Sequence, residues 1–147
     1  MSAVQPAANG HPGYNVTRAA SPAVVEEARR LARQAMHLWG FGPQAETAAL
    51  LISELATNAI THTPSRHVRV IVDRPTPTRV RLAVVDKTPH RTPELCPADV
   101  DGEAESGRGL RLVDALADGW GYDLLGSHKR GPWGKRCWAE LAVGGAR

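Results

Sequence analysis

The sequence has few aromatic residues, only 2 cysteines and no apolar run near the length of a membrane span. Each shortage narrows what the chain can do. A bilayer-crossing helix needs about 20 consecutive apolar residues, so no membrane span is expected. Cys96 and Cys137 have no Cys or His neighbours at metal-ligand spacing, which argues against a zinc site or a disulfide framework. Cys137 lies in an apolar alternation and reads as a small buried hydrophobe. The net charge of +3 comes mostly from scattered arginines, and no basic run carries interleaved aromatics. Direct binding of nucleic acid is therefore not expected. Trp39, Trp120, Trp133 and Trp138 read as core or interface residues. Residues 1–12 are rich in Ala, Pro, Gln and Asn and lack the basic start and apolar stretch of a signal peptide. They read as a disordered tail, and the expected location is cytoplasmic.

What remains is one domain, residues 13–147, with enough apolar residues (42%) to bury a core. Residues 14–18 form a candidate strand. Ser21-Pro22 is a helix start, and Val24, Ala28, Leu31, Ala35 and Leu38 then recur at helical spacing until Gly40. Pro43 opens a second helix, which stops before Pro64. Val68, Val70 and Val72 alternate in one strand, and Val80, Leu82, Val84 and Asp86 in the next, with Thr76-Pro77-Thr78 as the hairpin between them. Residues 87–106 read as a long acidic loop of the kind that forms lids. A third helix follows, then a strand starting at Trp120, a turn at Gly131–Gly134 and a last strand over 135–143. The expected fold is α/β (α+β): a two-layer sandwich of about three helices on a mixed, mostly antiparallel sheet of four to five strands.

Three places carry candidate chemistry. On the second helix, Glu54, Asn58 and His62 recur every four residues and form a polar stripe beside the apolar Leu51, Leu55 and Ala59. A carboxylate and an amide at the rim of a buried face are costly unless something binds them. A divalent cation with a phosphate chain would satisfy both, and an exposed polar stripe is the plainer alternative. Asp86 continues the inward alternation of its strand, either as a ligand contact or as a strand-end cap. Ser106-Gly107-Arg108-Gly109-Leu110 opens a helix, where free backbone N–H groups and the helix dipole favour phosphate, unless the glycines merely make a supple junction.

In this order and at these separations, the three segments resemble the N, G1 and G2 boxes of the GHKL ATP-binding superfamily. Within it they resemble the small bacterial anti-sigma factor serine/threonine kinases. The N box is Glu54-Leu-Ala-Thr-Asn58-Ala-Ile-Thr-His62, the G1 box Val84-Val85-Asp86-Lys87-Thr88-Pro89, and the G2 box Glu105 to Leu110. The resemblance covers about residues 14–143 and implies a Bergerat-type fold that binds ATP or ADP with Mg²⁺. It implies Glu54 as general base, Asn58 as the Mg²⁺ ligand and Asp86 as acceptor for the adenine amino group. Thr88, Gly107, Arg108, Gly109 and Leu110 complete the nucleotide contacts. A sigma factor, an anti-anti-sigma (STAS-type) protein and a second copy of the chain are the implied partners. Thr88 and His90 stand where the wider superfamily has glycines, and Gly134-Lys135 where a third box often reads Gly-Thr. Those departures keep open an alternative: a nucleotide-binding regulatory module without kinase activity. A detached histidine-kinase catalytic domain is a third reading, set back by the absence of a two-helix dimerisation segment bearing a phosphoacceptor histidine.

Overall fold

The computed structural model describes residues 5–6, 12–62, 66–89, 105–127 and 129–144. The elements run β1 (Gln5–Pro6), β2 (Gly13–Ala19), α1 (Pro22–Leu38), a 3₁₀ turn (Gly42–Gln44), α2 (Ala45–His62), β3 (His67–Thr76), β4 (Arg79–Asp86), α3 (Glu105–Leu116), β5 (Gly119–Ser127) and β6 (Gly131–Ala142). The strands form one sheet in the order β1-β2-β3-β4-β6-β5, and every pairing is antiparallel. The three helices pack on it as a second layer, the α+β arrangement expected from the sequence. The two-residue β1 pairs with Tyr14 and Asn15 at the margin of the sheet.

Helix α1 begins where proline suits a first turn, after an extended Ser21 whose hydroxyl makes no cap hydrogen bond. Its buried stripe is Val24, Ala28, Leu31, Ala32, Ala35 and Met36. Gly40, at φ +84°, turns the chain out of the helix in a conformation that other residues rarely adopt. Pro43 falls in the 3₁₀ turn, and α2 starts after it, at Ala45. The inner face of α2 is unusually small: Ala45, Ala48, Ala49, Ala56 and Ala59 join Leu51, Ile52 and Leu55. Short side chains let α2 lie close to α1 and still reach the sheet.

On the sheet, Val68, Val70 and Val72 of β3 oppose Leu82 and Val84 of β4, and Ala139 and Leu141 extend this face across β6. The opposite face carries paired charges. Arg81 reaches Asp73 with two nitrogens, at 3.2 and 3.0 Å, and Arg69 donates to Asn15. Asp73 is fully buried there, which the bidentate guanidinium makes tolerable.

Strand β6 departs from the sequence-based reading. Gly131–Gly134 is not the turn: β5 runs on to Ser127, which pairs with Gly131, and the reversal lies before Gly131. Gly131, at φ +75°, closes that hairpin. Pro132 is accommodated because the ladder to β4 ends at Asp86 and Lys135, so beyond that point β6 has a neighbour on one side only.

Candidate functional site

The candidate site residues lie on α2, at the end of β4 where Asp86 pairs with Lys135 of β6, and in α3. Helix α2 packs against β4, β6 and α3. Glu54 and Asn58 border its buried face, both half-buried. Neither makes a hydrogen bond or an ion pair with another residue of the described structure. The neighbouring polar residue behaves differently: the buried Ser53 accepts from Arg29 at 3.1 and 3.2 Å. So α2 satisfies the hydroxyl of its buried Ser53, while Glu54 and Asn58 have no side-chain partner among the described residues. His62 ends α2, and its side chain lies outside the described residues.

Asp86 is the last residue of β4 and is 2% exposed. Its Oδ1 accepts the Thr88 backbone N–H at 2.8 Å, which caps the turn leaving the strand. The same oxygen takes the Lys135 ammonium at 2.9 Å. Lys135, 3% exposed, also donates to the Thr88 carbonyl at 2.8 Å. Oδ2 of Asp86 receives no hydrogen bond from a described residue. Among the described residues, Lys135 donates two hydrogen bonds, to Asp86 and to the Thr88 carbonyl.

Gly134 makes this junction possible. A Cβ built on it would stand 2.5 Å from the Asp86 carbonyl oxygen, inside any real carbon–oxygen contact. Its φ is not in the left-handed region, so the requirement is for space. Cys137, two residues further along the same face, is half-buried and packs against the core. Burial raises its thiol from the ordinary 9.0 to about 11, with Lys135 pulling down and Asp86 and Asp123 pushing up.

The G2 segment lies inside α3. Gly107 and Arg108 fall among the first four residues of the helix, whose N–H groups have no intrahelical partner, while Gly109 and Leu110 lie one step further in. The side chains of residues 105–110 are outside the described structure, as is the expected acidic loop with Asp99, Asp101 and Glu103. Thr88 enters the site through its backbone, which binds both Asp86 and Lys135. Sequence reasoning missed Lys135, which it noted only as a missing hydroxyl.

Among the described residues no group of three or more His, Cys, Asp and Glu could enclose a metal ion. An Mg²⁺ ion fits in another way. It commonly takes one or two protein oxygens and completes its shell with phosphate and water, and the amide oxygen of Asn58, without a hydrogen-bond partner among the described residues, is of the type that would serve. No helix of the described structure is long and apolar enough to cross a membrane.

A family model described as a histidine kinase-like ATPase domain matches residues 18–130. The match runs from β2 through α3 and β5, so it contains Glu54, Asn58, Asp86 and the G2 glycines. The chain is also similar to an uncharacterized protein of Streptomyces coelicolor, 38% identical over 74 residues. That alignment covers 50% of this chain and 58% of the relative's length.

Proposed function

The chain belongs to the histidine kinase-like ATPase domain family, and from that premise we propose that it is an ATP-binding regulatory protein acting as a serine kinase on a protein partner. The observation that carries this reading is the pair Glu54 and Asn58, half-buried beside the apolar face of α2 with no hydrogen-bond or ion-pair partner among the described residues. Asn58 would hold Mg²⁺, and the ion would supply charge neutralisation to the phosphate chain. Asp86, through Oδ2, takes the base. The leading N–H groups of α3, Gly107 and Arg108 among them, face the phosphates. Glu54 accepts the proton of a serine hydroxyl as the serine oxygen attacks the γ-phosphorus. The bond from that phosphorus to the β–γ bridging oxygen breaks, and ADP leaves. Such transfer depends on positioning and electrostatics more than on covalent chemistry from the protein.

The substrate in this reading is a serine on an anti-anti-sigma (STAS-type) protein, and the protein sequesters a sigma factor as a cytoplasmic homodimer. Support for this finer part is the resemblance of the three boxes to anti-sigma factor kinases. A second reading, nucleotide binding without transfer, draws on Thr88 and His90 in place of glycines and on Lys135 in place of a hydroxyl residue.

Calorimetric titration with ATP and Mg²⁺ comes first, followed by phosphoryl transfer to a purified serine-bearing partner. Asn58→Ala is expected to weaken nucleotide binding at least about tenfold while the fold survives, because the Asn58 side chain makes no hydrogen bond or ion pair with a described residue. Glu54→Ala is expected to abolish transfer and retain binding. Transfer that survives Glu54→Ala refutes the assigned base. Binding with no transfer by the intact protein selects the second reading.

A further inference from the structure

The two margins of the sheet are built differently. β1 is two residues long and contains Pro6, so it offers little backbone to another strand. β5, at the opposite margin, is nine residues long and has no described strand beyond it. It contains no Lys, Arg or Pro, the residues that ordinarily keep an edge from pairing. Its ladder to β6 is regular from Gly119 to Leu125 and shifts only between Leu125 and Gly126. Tyr122 and Leu124 share one face of that run and are 41% and 52% exposed. The two ends of the strand carry opposite charge. Asp118 immediately precedes it, and Asp114 accepts the indole N–H of Trp120 at 2.8 Å, so both exposed carboxylates lie at its start. Lys129 and Arg130 lie just beyond its last residue, exposed, and form no ion pair among the described residues.

We propose that the β5 edge is an interface for a second copy of this chain: two β5 strands pair antiparallel about a two-fold axis at Tyr122 and join both sheets into one. This names the surface of the homodimer in the proposed function and rests on that part of the reading. Tyr122 is the midpoint of the regular run Gly119–Leu125. With the axis there, the whole run of one copy pairs with the whole run of the other. Tyr122 meets the partner's Tyr122, and Leu124 meets the partner's Trp120, so the exposed apolar side chains cover one another across the join. Asp123 falls opposite the partner's Gly121, and no carboxylate meets its own image.

Charge selects the occupant. An open edge with alternating apolar side chains accepts many extended segments through its backbone alone. Here the acids stand at the start of the strand and the bases beyond its end. Reversing a second copy therefore lays Lys129 and Arg130 beside the partner's Asp114 and Asp118, and the two-fold repeats that contact at the other end. The strand is its own complement in charge as well as in apolar pattern.

The test is sedimentation equilibrium of the full chain at protein concentrations up to about 100 µM, joined to a cross-linking experiment. The unaltered protein is expected to be a dimer at the upper end of that range. Leu124→Lys places a charge at an exposed edge position and is expected to raise the dissociation constant about a hundredfold or more. Lys129→Glu combined with Arg130→Glu is expected to raise it about tenfold or more. A short bifunctional thiol reagent is expected to join two copies of Tyr122→Cys in a Cys96→Ser background and to leave Cys96→Ser alone as single chains. A dimer that Leu124→Lys leaves intact and Tyr122→Cys does not cross-link overturns the inference and leaves the homodimer standing. A protein that is monomeric throughout overturns the homodimer and the inference together, and calorimetry with ATP reads the nucleotide site independently of both. The cross-link needs no disruptive substitution, so it decides the matter even where Leu124→Lys fails to fold.

Discussion

Breaking the Asp86–Lys135 pair from one side is expected to destabilise the fold strongly, and removing both charges is expected to restore most of the loss. The pair is 2.9 Å apart with both side chains nearly without solvent. At an effective dielectric constant of about 20, the gross attraction is about 6 kcal/mol. Desolvation of the two ions offsets much of it, so the intact pair contributes little net stability. A single substitution keeps the desolvation and loses the attraction. Lys135→Met strands Asp86 with only the Thr88 N–H and is expected to cost about 3–5 kcal/mol. Asp86→Asn keeps an oxygen for that N–H and for the ammonium, and falls at the lower end of the range. The double variant Asp86→Asn, Lys135→Met is expected within about 1–2 kcal/mol of the parent, since a neutral pair is often as stable as a buried ionic one. Urea unfolding followed by tryptophan fluorescence gives all four stabilities, with unchanged slopes as the check on two-state behaviour. Single losses below about 1 kcal/mol that simply add in the double variant would refute a desolvated, coupled pair. The measurement is made without nucleotide, so that ligand linkage does not contribute.

Two further outcomes follow from the same junction. Gly134→Ala is expected to cost about 1–3 kcal/mol, because its Cβ lands 2.5 Å from the Asp86 carbonyl oxygen; a thermal midpoint equal to the parent's would show that β4 and β6 part freely. Cys137, with its thiol raised to about 11 by burial, is expected to resist alkylation at neutral pH in a Cys96→Ser background, with the rate rising steeply above pH 9. The proton is held more tightly in the folded state than in the unfolded one, so this group's stabilising effect is complete below about pH 9 and is lost as pH rises through 11. Rapid alkylation at pH 7 without unfolding would contradict that burial.

The parts of the site that were legible in the sequence are those written in local periodicity. Glu54 and Asn58 stand out because a four-residue spacing places them beside Leu51, Leu55 and Ala59, all three of which are buried. Asp86 stands out because it prolongs the alternation of Val80, Leu82 and Val84 into the core. Lys135 obeys the same rule, two positions before Cys137 and four before Ala139, and an inward lysine was the available signal. Its role was hidden because it depends on the register of β6 on β4, a pairing between residues 49 apart in sequence. No local pattern encodes a distant register. The misplaced turn has a related cause. Gly134 looked like punctuation, but its glycine is required by an interstrand contact, while the reversal itself rests on Gly131.

The strand order also sets a timetable for synthesis. Strand β6, the last in sequence, does not lie at the margin of the sheet; it sits between β4 and β5. A nascent chain can pair β2, β3 and β4 and cover them with α1 and α2 early, since each neighbour in that series is close in sequence. The flank of β4 then stays open, its backbone groups unpaired, until residue 142 has been made and β5–β6 swings in as a hairpin. The Asp86 junction shares that delay, because Asp86 has no Lys135 until β6 arrives. A truncated or stalled chain would therefore present a ready strand edge to other molecules, and the step that completes the site is also the step that hides it.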